Sequence, residues 1–191
     1  QLQGNGQTIL NPGILQKQAD GVFDTDGMLL YSKTMGKIIY LYAYRNEFTL
    51  ADKRLKIAFR DNTIDTISKA QLEITEDKNH HQRQFSKPPL FVNKNSAVFK
   101  NLLFVHSAIP GRFVDDRMWK DSSIIDLYDL SKKSYVLSFC INDLDGKKMN
   151  YFTVVNNKLY VLIGTHIIQY AMDSKITSHY NKTSAENLLA K

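Results

Sequence analysis

The chain has 191 residues, with 25 lysines and arginines against 19 aspartates and glutamates, which gives a formal net charge of +6. Its single cysteine excludes an internal disulfide framework and a cysteine-rich zinc module, and 43% hydrophobic residues with 23% charged residues exclude a chain that is disordered throughout. No apolar run approaches the ~20 residues that a membrane-spanning helix needs.

The predicted elements are short strands separated by turn residues. Residues 1–20 carry glycines and a proline but little periodicity, so an extended lead-in is expected there. Strands rich in Ile, Tyr and Phe are then predicted over 28–31, 37–44, 47–50 and 55–59. Because both faces of 37–44 are apolar or amphipathic, that strand is expected to be covered on both sides.

A second series of strands is predicted further along the chain, at 102–105, 123–128, 135–141, 151–155, 158–163 and 165–172. Between the two series, 76–84 is expected to be a polar loop. Residues 173–191 are expected to form a tail, in which 184–191 is typical of a short helix with a serine cap.

Weak internal repeats indicate the architecture. Residues 38–42 match 124–128 at an offset of 86, and 125–130 match 167–172 at an offset of 42, so one period of about 43 fits both. Residues 95–105 also resemble 151–161, each a strand, a short turn and a second strand. The prediction is an all-β fold of four-stranded antiparallel β-propeller blades, about three to four in number, with a generic sandwich or barrel as the alternative.

Three or four blades are too few for most closed propellers, which have roughly four to eight. An open arc would leave apolar blade faces uncovered at its ends. The blades, predicted over 21–172, are therefore expected to belong to a larger ring. A missing N-terminal half or other copies of the chain would complete it.

Several segments resemble a known group of proteins. They are the tyrosine-rich stretch 37–59 with YRNEF at 44–48, NTIDT at 62–66, and PPLFVNK at 88–94 followed by VHS at 105–107. In order and spacing these resemble the C-terminal half of uncharacterised bacterial cell-envelope proteins, which are six-bladed β-propeller-like lipoproteins. The resemblance covers about 21–172 and implies a location in the envelope, secreted or lipid-anchored. It supplies no site residues.

Candidate sites for metals and catalysis are weak. The Asp-x-Asp-Gly runs at 24–27 and 143–146 could begin calcium loops, but they lack further ligands and Asp-Gly is a common hairpin turn. The histidines at 80 and 81 have no second ligand pair, and His106 is expected to be a strand residue with a satisfied hydrogen bond. No nucleophile turn or phosphate loop is present. No catalytic residue, metal or cofactor is therefore predicted.

The strongest candidate for recognition is the loop 107–122, which interrupts a blade between two strands. It contains the only tryptophan together with arginines, a phenylalanine and acidic residues, and such residues dominate interface energetics. The predicted binding residues are Arg112, Phe113, Asp115, Asp116, Arg117 and Trp119. The alternative is that Phe113 and Trp119 only cap the edge of the blade.

These features favour a non-enzymatic binding or scaffold component of a bacterial cell-envelope assembly. The expected partners are envelope proteins or the missing half of the same protein, with membrane attachment only through a lipid anchor that this sequence does not show. Nucleic acid is not expected, because the lysines are scattered over turns rather than gathered in a stripe. The alternative is an envelope hydrolase of glycans or peptides, with carboxylates such as Asp115 and Asp116 at the propeller mouth.

Overall fold

The computed structural model describes residues 10–77 and 82–181, which form antiparallel sheets and two short helices. The strands are β1 (Gly27–Ser32), β2 (Lys37–Tyr42), β3 (Glu47–Asp52), β4 (Ile57–Asn62), β5 (Ile74–Asp77), β6 (Gln82–Phe85), β7 (Asn93–Phe99), β8 (Leu102–Ser107), β9 (Ser122–Asp129), β10 (Ser134–Asn142), β11 (Met149–Val155), β12 (Lys158–Ile163) and β13 (His166–Ala171). The helices are α1 (Asp116–Asp121) and α2 (Ser174–Thr177).

Three of the sheets are blades in which each strand pairs with the next along the chain. Blade 1 comprises β1 to β4, blade 2 comprises β7 to β10, and blade 3 comprises the three strands β11 to β13. The first strand of blade 2, β7, lies beside β1 on one side and β11 on the other. First strands that adjoin one another in this way are the radial arrangement of a β-propeller. The predicted fold class is confirmed.

The blades pack face to face in chain order. Ile39 and Leu50 of blade 1 meet Leu103 and Val105 of blade 2 in one apolar cluster. The opposite face of blade 2 meets blade 3 in a second, larger cluster, which includes Phe104, Ile125, Phe152 and Val161. Since opposite faces of a strand alternate, β8 contributes to both clusters. Every residue of β8 and β9 is buried.

The end blades are covered less completely than the middle blade: the outer face of blade 3 is mostly exposed, and that of blade 1 is buried only in part, at Tyr42, Thr49 and Ala51. In β2, Ile39 and Leu41 are fully buried against blade 2, while Ile38 and Tyr40 point the other way and are half-buried. The expectation that 37–44 is covered on both sides is therefore met only in part. Cover on both sides extends along all of β8 and β9 in the middle blade, and along the four central residues of β3 in blade 1.

The spacing of the blades differs from the predicted period. The first strands begin at Gly27, Asn93 and Met149, so successive blades start 66 and 56 residues apart. The offset of 86 matched β2 with β9, which are the second and third strands of their blades, and that alignment was out of register by one strand. The match of 95–105 with 151–161 was correct, because it pairs the first two strands of blade 2 with those of blade 3.

The longer first interval contains an extra hairpin. The predicted polar loop 76–84 was wrong, because β5 and β6 pair there through Glu76 with Arg83 and Thr75 with Gln84. Most residues of β5 and β6 are polar. The hairpin therefore lacks the alternation of apolar and polar residues that marks the blade strands. The histidines at 80 and 81 and the helix expected over 184–191 lie outside the described residues.

The N-terminal segment is attached to blade 1 by a buried arginine. The Arg45 guanidinium donates to the carbonyl oxygens of Gln16 at 2.6 Å and Asp24 at 3.1 Å, and it lies 3.5 Å from the Tyr42 ring centroid. The Asp24 carboxylate accepts the backbone N–H groups of Ala19 and Gly21, each at 2.6 Å. Its oxygens therefore organise a turn of this segment, which explains the first Asp-x-Asp-Gly run without a cation.

The residues after blade 3 return to blade 2. Ile176 of α2 joins the larger apolar cluster, and the Asn101 side chain donates to the His179 carbonyl at 3.0 Å and accepts from the Asn181 N–H at 2.7 Å. The second Asp-x-Asp-Gly run forms a hairpin turn with positive φ at Asp145 and Gly146, as expected for Asp-Gly. In 10–77 and 82–181, neither helix is long and apolar enough to cross a bilayer.

Asn93 of blade 2 is hydrogen-bonded to the end of β2 in blade 1 and to the residues that follow it. Its buried side-chain amide donates to the carbonyls of Tyr42 at 2.8 Å and Arg45 at 3.0 Å. Asn93→Ala is expected to lower the free energy of unfolding by about 2 kcal/mol, because two buried acceptors lose a donor. Urea denaturation measures this, with Asn142→Ala, at an exposed residue of β10, as the control. Equal unfolding midpoints for the two variants would contradict the interpretation.

Candidate functional site

The candidate site is a cleft of about 680 Å³ between blades 1 and 2, called the inter-blade cleft below. One wall is the segment 64–66, which follows β4 of blade 1, and the other is the face of blade 2 that bears Ile124, Asp126 and Ser138. The start of the loop between β8 and β9 closes one end. The lining residues are Ile64, Asp65, Thr66, Ser107, Ile109, Pro110, Gly111, Arg112, Phe113, Val114, Ile124, Asp126, Tyr135 and Ser138.

Asp126 is a buried ionisable residue that lines this cleft. It pairs with Val105 of β8 and Ser138 of β10, and directly paired residues project to the same side of a sheet. Val105 faces blade 1, so Asp126 does too. Only 5% of Asp126 is exposed. Burial raises the pKa of its carboxyl, and the nearby Asp65 carboxylate raises this pKa further, against a hydrogen bond from Ser138 that lowers it.

A short chain of hydroxyls supports Asp126. Ser138 Oγ donates to Asp126 Oδ1, and Tyr135 Oη lies 2.8 Å from Ser138 Oγ. Because the serine has a single proton and gives it to the carboxylate, Tyr135 is the donor in the second bond. Tyr135 is exposed at the cleft wall. These two hydrogen bonds therefore connect the buried carboxylate with the solvent-facing side of the cleft.

Asp65 supplies a second carboxylate across the cleft. Burial raises the pKa of the Asp65 carboxyl, although the Ile67 N–H donates to its Oδ1 at 2.8 Å and opposes this shift. Its Oδ2 is buried and has no hydrogen-bond partner among the described residues. Nearby, Tyr128 Oη accepts the Ile64 N–H at 3.0 Å, which holds this segment against blade 2. The cleft thus contains two acceptor groups whose ionised forms are poorly solvated.

The rim of the cleft belongs to the loop predicted as the recognition segment. Phe113 is 92% exposed, and the Arg112 guanidinium carbon lies 5.6 Å from its ring centroid, within cation–π range. Both residues line the cleft. Arg112 and Phe113 therefore present a cation and an aromatic ring above an acidic, partly apolar cavity.

The second half of this loop is a helix that the sequence did not predict. Asp115 caps α1, and its Oδ1 accepts the N–H groups of Arg117 at 2.8 Å and Met118 at 3.3 Å. At the other end, Lys148 Nζ donates to the carbonyls of Trp119 at 3.0 Å and Ser122 at 2.9 Å. An N-terminal Asp cap and a C-terminal lysine are the favoured end groups of a helix. The loop is thus held at both ends of α1.

The six predicted binding residues do not form one group. Arg112 and Phe113 line the inter-blade cleft, whereas Asp115, Asp116, Arg117 and Trp119 belong to the cap and body of α1. The adjacent carboxylates of Asp115 and Asp116 do not line the cleft. The acidic groups that do are Asp65 and Asp126, which sequence reasoning did not select.

A signal for Asp126 was present in the sequence. In the run Ile124 to Tyr128, alternation places Asp126 between two large apolar residues on the same strand face. A carboxylate in the middle of such a face is unusual and points to a polar site or a buried network. Asp65 gave no such signal, because it lies in an irregular segment that meets blade 2 only after folding.

His106 does not line the inter-blade cleft. His106 lies in β8, where burial and the charges of Lys94 and Lys148 lower its pKa to about 4. Its Nδ1 has no hydrogen-bond partner among the described residues, so the expected satisfied bond at that atom is absent. Within 10–77 and 82–181, no group of three or more His, Cys, Asp and Glu residues is arranged to hold a metal ion.

Comparisons with known proteins show distant likeness to solved structures alone. No protein-family model and no curated protein matches the chain. Among solved structures it is similar to the crystal structure of the Myceliophteria thermophila Cps50 (Swd1) β-propeller domain, with 8% identity, a TM-score of 0.34, and 85% of this chain and 59% of that chain covered. The chain thus spans less than two thirds of that domain's length. A likeness at this level carries no argument about function.

The raised pKa of Asp126 predicts a specific dependence of stability on pH. The folded state keeps a proton on this carboxyl that the unfolded chain releases at lower pH, so stability is lost as pH rises from the unfolded pKa through the folded one. Asp126→Asn removes this contribution. The melting temperature of the wild-type protein is therefore expected to fall relative to that of Asp126→Asn as the pH is raised from about 4, where an aspartate of the unfolded chain titrates, toward neutrality.

Thermal unfolding followed by circular dichroism across this range measures the difference. Asp121→Asn, which neutralises an exposed carboxylate at the end of α1, is the matched control and is expected to follow the wild-type slope. Parallel curves for the wild-type protein and Asp126→Asn would show that Asp126 titrates as it does in the unfolded chain.

Proposed function

We propose that this protein is a non-enzymatic recognition module, in which blades 1 and 2 form a rigid frame and the inter-blade cleft binds a segment of a protein partner. The observation that carries the proposal is the buried Asp126 within a cleft whose other lining groups are largely apolar. Fixed polar groups within a concave apolar surface are what specific ligand sites contain. The surrounding strands β8 and β9 are buried throughout, so the frame does not need to reorganise on binding.

The chemistry of the cleft favours a basic side chain with apolar neighbours. An ammonium or guanidinium group would donate to the carboxylates of Asp126 and Asp65, while apolar side chains would contact Ile64, Ile109 and Val114. Burial penalises both carboxylates in their ionised forms, and a bound cation offsets that penalty. The proposed ligand is therefore a peptide segment with one lysine or arginine flanked by apolar residues. Its affinity is expected to rise with pH.

A peptide selection tests this proposal. Random peptides displayed on phage are selected on the purified protein, and enrichment of a lysine or arginine beside apolar residues is expected. Isothermal titration of an enriched peptide should then show that Asp126→Asn and Phe113→Ala each weaken binding by about tenfold or more. Arg117→Ala, which changes an exposed residue of α1 outside the cleft, is expected to change binding by less than about threefold.

The decisive comparison is between the cleft variants and the helix variant. Enriched peptides that bind Asp126→Asn and Phe113→Ala as tightly as the wild-type protein would contradict a site in the cleft. A loss confined to Arg117→Ala would place recognition on α1 instead. Asp121→Asn controls for the change in net charge.

A cell-envelope location is part of the proposal and rests on the resemblance of 21–172 to envelope propeller lipoproteins. In that setting the module would be a component of an envelope assembly. Fractionation of cells that make the intact protein tests the location. Recovery with the envelope is the expected result, and recovery with the cytosol would contradict it.

One observation favours a second function, that of a glycan or peptide hydrolase. The pKa values of two carboxyls in the same cleft are raised, and a general acid requires a carboxyl that stays protonated near neutral pH. Under this hypothesis Asp126 and Asp65 would carry the chemistry in place of Asp115 and Asp116. Screening the intact protein against glycan and peptide substrates would then reveal turnover that Asp126→Asn abolishes and Asp116→Asn retains. Absence of turnover across such a screen supports the binding function.

A further inference from the structure

Arg112 is the only basic side chain among the described residues that line the inter-blade cleft. It is exposed, and within 10–77 and 82–181 no carboxylate forms an ion pair with its guanidinium. Burial is the main cause of the raised pKa values of Asp65 and Asp126, and the Arg112 charge lowers neither of them. The cleft therefore has a cation at its rim, apart from the two carboxylates that it contains. The binding of a basic side chain leaves this cation without a role.

The backbone that carries Arg112 is held in place. The Val114 N–H donates to the Gly111 carbonyl at 3.0 Å and closes a turn, in which Arg112 takes a central position. At the start of the loop, the Ala108 N–H donates to the Val92 carbonyl at 2.8 Å. The loop is therefore fixed both before Arg112 and, through the cap of α1, after it. Arg112 is presented from a rigid support at the end of the cleft that this loop closes.

A closed end with a cation on it favours the end of a peptide over its middle. A peptide that continued past this loop would have to turn out of the cleft over Arg112. A peptide that ends there would place its terminal carboxylate beside the guanidinium, which binds carboxylates through paired N–H groups. An internal lysine offers Arg112 no carboxylate and brings a like charge into the same cleft. The separated charges of the cleft are therefore complementary to a residue that carries both a cation and a carboxylate.

We infer that the inter-blade cleft recognises a C-terminal lysine or arginine, whose side-chain cation binds Asp65 and Asp126 and whose terminal carboxylate binds Arg112. The inference rests on the proposed function, because it assigns the cation to the same two carboxylates. It adds the requirement that the chain ends at this residue. The long side chain of a lysine or arginine keeps its two charges apart, as the cleft does.

Fluorescence anisotropy with a synthetic peptide measures this requirement. The probe is glycine-isoleucine-valine-lysine with fluorescein on its N-terminus, prepared as the free acid and as the C-terminal amide. The wild-type protein is expected to bind the amide about tenfold or more weakly than the acid, because the amide lacks the charge that pairs with Arg112. Arg112→Gln is expected to bind acid and amide equally. Arg117→Gln, at an exposed arginine of α1 outside the cleft, is the matched control and should keep the preference for the acid.

A third peptide separates this inference from the proposed function. Norleucine in place of the lysine keeps the terminal carboxylate and removes the ammonium group, so the wild-type protein is expected to bind this acid at least about tenfold more weakly than the lysine acid. Equal binding of the lysine acid and amide, with weaker binding of the norleucine acid, would overturn the inference and leave the proposed function standing. Equal binding of the lysine and norleucine acids would contradict both.

Two further results would overturn the inference alone. The first is an Arg112→Gln protein that still prefers the acid over the amide, with far-UV circular dichroism showing that both arginine variants are folded. The second is the absence of binding of the lysine acid to the wild-type protein at about 1 mM, while the peptides enriched in the phage selection bind. That selection tests the proposed function with internal peptide segments and does not depend on a free chain end.

Discussion

The structure depends on one constraint, which is that a blade with two apolar faces needs a neighbour on each side. The middle blade meets this constraint within the chain. Leu103 and Val105 of β8 face blade 1, and Leu102 and Phe104 of the same strand face blade 3. Complete burial of β8 and β9 makes blade 2 the rigid centre of the arc. The end blades satisfy the constraint less completely, because the outer face of blade 3 is mostly exposed and that of blade 1 is buried only in part.

The same constraint positions the candidate site. Blade 1 meets blade 2 through apolar residues over most of their contact, but Asp126 interrupts the apolar pattern of β9, and 64–66 approaches it from blade 1. An ionised carboxylate at that position lowers the free energy of unfolding, because burial removes its solvation. The loop that carries Arg112 and Phe113 is fixed by the ends of α1. Its cation and ring are thereby held at the rim of the cleft.

The sequence predicted the parts of the fold that local chemistry determines. Runs rich in Ile, Tyr and Phe marked most of the blade strands, and the repeated strand pair at 95–105 and 151–161 marked equivalent positions in two blades. The hairpin of β5 and β6 was missed, because residues such as Glu76 and Arg83 carry no apolar alternation. The blade period was wrong, because tyrosine-rich strands look alike whichever position they occupy within a blade. The cleft was missed because Asp65 and Asp126 are far apart in the chain and meet only when blades 1 and 2 pack.

The central claim is that blade 2 is the centre of the structure because it is covered on both faces. Hydrogen–deuterium exchange of the native protein, followed by mass spectrometry, tests this claim most directly. The account predicts that amides of β8 and β9 exchange most slowly, with rates close to those set by global unfolding, and that amides of β5 and β6 exchange much faster. Exchange of β8 and β9 as fast as that of the β5–β6 hairpin would contradict the account.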